Sequence, residues 1–218
     1  MEDPRIISAL CIFLKMAYYN VLINTHGNSG ILIPVLALGK YTGRTMYEEI
    51  ADKIWNYENS LYDPAINNWK DTREQGKVVS SNPIGSVAWC HGASGVLYSR
   101  ILCYEFVENR KWKNRLELDI KRAYKKLQQY WKRDSDCLCH GNSGNLWTLR
   151  ITQEKMKEYG ISIEGEWDVE LLKSELEEQV VHLLPQEQIN VGFMNGCGGI
   201  LYKRLHDINT TESHIESI

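Results

Sequence analysis

Four glycine-framed turns recur along this chain, and each of them carries histidine or cysteine. They read His26-Gly27-Asn28-Ser29-Gly30, Cys90-His91-Gly92-Ala93-Ser94-Gly95, Cys139-His140-Gly141-Asn142-Ser143-Gly144 and Asn195-Gly196-Cys197-Gly198-Gly199. Their first glycines fall at 27, 92, 141 and 196, in steps of 65, 49 and 55 residues. Each step holds two helices and their connections, and each turn leads into an apolar helix start such as Val96-Leu97-Tyr98 or Ile200-Leu201-Tyr202. Glycine at both ends of G-x-x-G lets the backbone turn sharply and pack closely at a crowded helix N-terminus. Helix, turn and helix repeated in this way predict an all-α chain of stacked hairpins, either a solenoid or an α/α toroid. In a toroid the turns lie on one face around the axis, so residues distant in sequence become neighbours.

The helices follow from apolar spacing. Residues 5 to 23 read as a mostly buried helix, and the apolar stretch Ile31 to Leu38 is expected to close at Gly39 and Gly43. Thr45, with Glu48 three residues on, predicts a capping box for a helix over 46–57. Residues 58 to 86 are rich in Asn, Asp, Pro, Gly and Ser and predict a long loop. A helix follows Gly95 to about Glu108. The clearest amphipathic pattern spans 114–132, where Leu116, Ile120, Ala123, Leu127 and Trp131 share one face. The lysines and arginines between them, interleaved with acidic residues, predict a solvated outer face. Further helices are expected from Asn145 to about Lys157, from Val169 to Leu184 and from Ile200 to Leu205. Residues 209–218 read as a polar tail.

Composition narrows the function. The 218 residues are 43% hydrophobic and 24% charged, which is globular rather than disordered. A net charge of -3 argues against a general nucleic-acid or anionic-membrane binder. No apolar run approaches the roughly 20 residues needed to span a bilayer, and no signal peptide is visible. The chain is far longer than the small secreted scaffolds that depend on disulfides, so its six cysteines read as reduced and cytoplasmic. Reduced thiols are available to a metal.

Cys90, Cys139 and His140 form a candidate zinc triad. Two thiolates and a neutral imidazole suit a borderline-soft d10 ion, and three protein ligands leave a fourth tetrahedral position open. Cys137 offers a rival, structural site with Cys90 and His140. Cys197 reads as packing.

The segments W-C-H-G-A-S-G, L-C-H-G-N-S-G-N, G-F-M-N-G-C-G-G-I and H-G-N-S-G-I together resemble the lanthionine synthetase C-like cyclases. The likeness is closest to the cyclase domain at the C-terminal end of class II lanthipeptide synthetases. It implies an α/α toroid of seven hairpins around a catalytic Zn2+ held by Cys90, Cys139 and His140. It also implies catalytic roles for His26, as the acid/base group, and for His91, which lines the site. The expected reaction adds a peptide cysteine to a dehydroalanine or dehydrobutyrine, closing a thioether ring. Its partner is a dehydrated precursor peptide.

Only four of seven hairpins are legible, so residues 1–208 are expected to form a partial barrel, the C-terminal part of the cyclase domain. The missing N-terminal part or a dehydratase domain is then a further expected partner. Ser86 stands where some members place a basic residue, four positions before the first ligand. Two other readings stay open: a non-catalytic relative that binds a peptide or glutathione, and an inert remnant of a truncated gene.

Overall fold

The computed structural model describes residues 28–70, 85–163, 191–203 and 205. The expected helices over 5–23 and 169–184, His26 and the 209–218 tail lie outside these residues. In chain order the elements are α1 (Asn28–Thr42), α2 (Thr45–Ser60), β1 (Tyr62–Asp63), β2 (Asn68–Trp69), β3 (Val87–Ala88), β4 (His91–Gly92), α3 (Ala93–Cys103), α4 (Arg110–Tyr130) and α5 (Asn142–Tyr159). A 3-10 turn, Tyr104–Phe106, links α3 to α4, and the chain is helical again over 197–203. Among the described residues no helix is long and apolar enough to cross a membrane.

The helices alternate between two roles. Those that start from a glycine turn (α1, α3 and α5) pack against one another, with α3 between its two neighbours. Helices α2 and α4 pack behind α1 and α3 as the second arms of their hairpins. Accordingly α3 is buried along almost its whole length, whereas α4 buries one face. On that face Leu116, Ile120, Ala123 and Leu127 are fully buried, as their spacing predicts. Burying each of the leucine and isoleucine side chains stabilises the fold by roughly 1.5–3 kcal/mol.

Helix α4 starts four residues before its predicted position because Asn109 caps it. The side-chain oxygen of Asn109 accepts from the Trp112 amide at 2.9 Å. Its polar residues are not all on a solvated face. Asp119 and Lys126 turn inward, and Lys126 Nζ donates to the Ile66 carbonyl at 2.8 Å, its pKa lowered by burial.

Three sequence expectations need correction. Gly39 does not close α1, which runs on to Thr42. Burial of Leu32, Ile33, Leu36 and Ala37 outweighs the roughly 1 kcal/mol that an interior glycine costs. Thr45 is not a cap. Arg44 holds the N-cap position with no side-chain cap bond, and Glu48 forms no capping box there. The turn is instead built by Gly43 at φ +66°, while the Thr42 hydroxyl donates to the Leu38 carbonyl and accepts from the Arg44 amide. The third correction concerns 58–86, of which 71–84 lie outside the described residues; the part before them is not loop. Strands β1 and β2 pair antiparallel, Tyr62 with Trp69 and Asp63 with Asn68. Trp69 packs edge-on to Tyr62 at 5.1 Å, and the Arg122 guanidinium covers the Tyr62 ring at 4.2 Å. Two aromatics in a polar segment were enough to fold it onto α4.

An ion cluster ties the helix pairs together. Arg100 on α3 is fully buried; its Nη2 meets Glu58 Oε2 of α2 at 2.6 Å and its Nε meets Asp119 Oδ2 of α4 at 2.9 Å. Trp55 Nε1 also donates to Asp119, at 3.0 Å, and the Ser29 hydroxyl of α1 donates to Glu58. Burial by itself would lower the guanidinium pKa. The two carboxylates more than reverse that, so the charge is held firmly.

Candidate functional site

Strands β3 and β4 form a two-residue antiparallel ribbon, Val87 with Gly92 and Ala88 with His91, so Trp89 and Cys90 occupy its tip. Gly92, at φ +74°, directs the chain into α3, and a Cβ there would overlap the Ser86 carbonyl. The next turn places Cys139 and His140 immediately before α5. Its Gly141 sits so close to Cys137 and Ser135 that a Cβ would come within 2.5 Å of their backbones.

The turns stack by a repeated backbone bond. The Cys90 amide donates to the Cys139 carbonyl at 3.1 Å, and the Cys139 amide donates to the Met194 carbonyl at 2.9 Å. Residues 90, 139 and 194 each lie two positions before the first glycine of their turns. Packing repeats as well. A Cβ on Gly144 would overlap the Leu138 carbonyl and lie 3.2 Å from Trp89 Cβ. One turn later, a Cβ on Gly199 would overlap the Phe193 carbonyl and press on the Leu138 side chain. In these two turns the second glycine thus seats on the residue preceding the cysteine of the turn before. The periodicity of the sequence is a periodicity in space.

This stacking brings the thiols together. The Cys139 thiol is hydrogen-bonded to the side chains of both Cys90 and His140. The bond with Cys90, and then burial, push its pKa above the usual thiol range, while His140 pulls the other way. Cys90, Cys139 and His140 are all half-buried, so a ligand can reach them, whereas the rival Cys137 is fully buried. Among the described residues no group of three or more His, Cys, Asp or Glu side chains stands as a ready metal cage. What the structure shows is two contacts sharing Cys139. As a donor set, two thiols and an imidazole fit zinc.

His91 follows Cys90 in β4 and is half-buried; His26 is outside the described residues. Cys197 begins the helical stretch 197–203 and is half-buried. All five cysteines among the described residues are free. Sequence reasoning missed the supports of the site. Trp89 and Leu138 were quoted only as motif letters, yet each forms the seat of the next turn. Met194 carries the same offset from its glycine as the two cysteines, a signal that was available but hidden by its lack of a thiol.

Known proteins resemble this chain in sequence and in fold. The family model of lanthionine synthetase C-like protein matches residues 24–218. Over 192 residues the chain is 30% identical to the lacticin 481/lactococcin biosynthesis protein of Lactococcus lactis subsp. lactis, an alignment covering 84% of this chain and 20% of that protein. The chain therefore spans about one fifth of the length of this curated relative. Nisin cyclase, a solved structure, superposes with a TM-score of 0.54 at 20% identity, covering 83% of this chain and 45% of that one. That likeness bears out the α/α toroid as the fold, and the described helices close no barrel. By the match of its family model and by its fold, the chain belongs to the lanthionine synthetase C-like family.

Proposed function

We propose that this chain carries the ring-closing centre of a zinc-dependent lanthipeptide cyclase, with Cys90, Cys139 and His140 as the metal ligands. The observation that carries this reading is the Cys139 thiol bonded to both Cys90 and His140, on turns locked together through their backbones. Zinc bound there would supply a Lewis-acidic position at which a substrate cysteine thiol loses its proton.

The chain's own residues do the rest. Two thiolates and a neutral imidazole balance the dication, so the site is nearly neutral and leaves the substrate sulfur electron-rich. The stacked turns hold the thiol face rigid, which favours closure of a ring whose two ends belong to one peptide. The sulfur adds to the β-carbon of a dehydroalanine or dehydrobutyrine, forming the C–S bond. His26 delivers the proton that the α-carbon must then accept, a task suited to an imidazole with a pKa near neutrality. His91, next to Cys90, lines the site. The substrate is a precursor peptide dehydrated by another part of a longer protein or by a separate dehydratase, and the reducing cytoplasm keeps the thiols available.

The test is zinc content and ring closure measured on the same samples. Wild type should hold about one zinc per chain and protect a dehydrated peptide's cysteines from alkylation. Cys139→Ala should lose both. His26→Asn should keep the zinc but close rings about 10²–10⁴-fold more slowly. A folded wild type without zinc refutes the reading; zinc and ring closure unchanged in His26→Asn removes His26 from the mechanism.

A further inference from the structure

Asn145, in the first turn of α5, is fully buried and uses both hydrogens of its amide nitrogen. Nδ2 donates to the Val87 carbonyl at 3.2 Å and to the Trp131 carbonyl at 2.9 Å, while Oδ1 has no partner. A buried acceptor left unsatisfied is costly. The amide cannot turn over to relieve it, because its oxygen would then face two carbonyls. The orientation is therefore determined by the two bonds alone.

Those bonds join particular segments. Val87 lies three residues before Cys90, in the strand whose ribbon presents that cysteine. Trp131 follows the end of α4, and Asn145 itself lies five residues after His140. One side chain thus spans from the Cys90 ribbon to the helix whose N-terminus carries Cys139 and His140. Between the two turns, the backbone bond from Cys90 to Cys139 fixes their approach at one point. The Asn145–Val87 bond supplies a second point, and two points are needed to stop the ribbon pivoting about the first.

We propose that Asn145 is the positioning residue for the thiol pair, setting the angle at which Cys90 meets Cys139 and His140. The inference rests on the zinc reading above. Its claim is that Asn145 controls metal affinity and ligand geometry beyond any effect on folding. Residues that orient metal ligands typically change affinity about 10–100-fold when removed.

Zinc affinity is measured by competition with a chromophoric chelator, ligand geometry by the visible and thiolate charge-transfer bands of the Co(II)-substituted protein, and stability by urea unfolding. The control is Gln153→Ala, which removes a 2.9 Å bond from α5 to the Tyr124 hydroxyl of α4, two turns beyond Asn145. Asn145→Ala should lower zinc affinity about 10–100-fold and alter the Co(II) bands. Gln153→Ala should lower the unfolding midpoint with affinity within about twofold of wild type. If Asn145→Ala does not fold, Asn145→Ser, which keeps one donor, replaces it and should fall between the two. Equal affinities and spectra in wild type and the Asn145 variant overturn this inference alone. Equal losses in the Gln153 and Asn145 variants also overturn it, since stability would then explain both. A folded wild type that binds neither Zn(II) nor Co(II) overturns the zinc reading, and this inference with it.

Discussion

Replacing Arg100 with methionine keeps much of its volume and removes its charge. Glu58 then remains a buried carboxylate without the cation that paired it, and Asp119 keeps only the Arg122 guanidinium, at 4.0 Å. Removing one partner from a buried ion pair costs about 3–5 kcal/mol, chiefly through the charge left behind. A chain of this size loses about 2–4 °C of melting temperature per kcal/mol, so Arg100→Met should melt about 6–20 °C lower. Urea unfolding followed by far-UV circular dichroism measures the loss, with an unchanged denaturant slope confirming that both states keep their compactness. The decisive comparison is the triple variant Arg100→Met, Glu58→Gln, Asp119→Asn, which has no stranded charge. It should be more stable than Arg100→Met alone, although it carries two more substitutions. A cost below about 1 kcal/mol for Arg100→Met, or single effects that add to within about 0.5 kcal/mol, would refute the assignment of these residues to one coupled cluster.

Two further outcomes follow from the packing. Gly144→Ala and Gly199→Ala should each cost about 3 kcal/mol in urea unfolding, because the added carbon overlaps the Leu138 or Phe193 carbonyl of the glycine's own turn and presses on the Trp89 or Leu138 side chain of the seat below. Gly160→Ala, where only a φ of +67° is at stake, should cost about 1 kcal/mol; equal losses at all three positions would refute the seating. The second outcome concerns alkaline pH. Burial pushes the Cys103 thiol up to about 12, so the folded chain holds this proton where the unfolded chain releases it. That contribution is complete below the unfolded thiol's value near 9 and fades as pH rises toward 12, at up to about 1.4 kcal/mol per unit. Cys103→Ala should therefore lose stability less steeply than wild type between those limits, and parallel pH profiles would count against it.

Much of this was legible in the sequence because periodic signals survive without knowledge of partners. The glycine offsets predicted which turns stack, and the spacing of Leu116, Ile120, Ala123 and Leu127 predicted the buried face of α4. What escaped depended on partners far away in the chain. Arg100, Glu58 and Asp119 look like ordinary helix charges until α2, α3 and α4 meet. The Thr45 capping box failed because Gly43 and the Thr42 hydroxyl had already built that turn. The β1–β2 ribbon was hidden by its polar composition, since its large apolar contacts come from Trp69 and Tyr62 and the rest of its anchoring is polar, as in the Lys126 bond to the Ile66 carbonyl. Within the site, Cys90, Cys139 and His140 were named from the motif, whereas Asn145 stood unmarked in the same motif because its partners are carbonyls, which no sequence pattern records.

The bonds that join residues 90, 139 and 194 involve only main-chain atoms. A position held by its peptide unit places no demand on its side chain, and these three places hold cysteine, cysteine and methionine. The assembly therefore behaves like a row of identical sockets, in which a repeat can gain or lose a reactive group without disturbing how it docks. Chemistry could be added to such a chain one socket at a time, long after the architecture that holds it had settled.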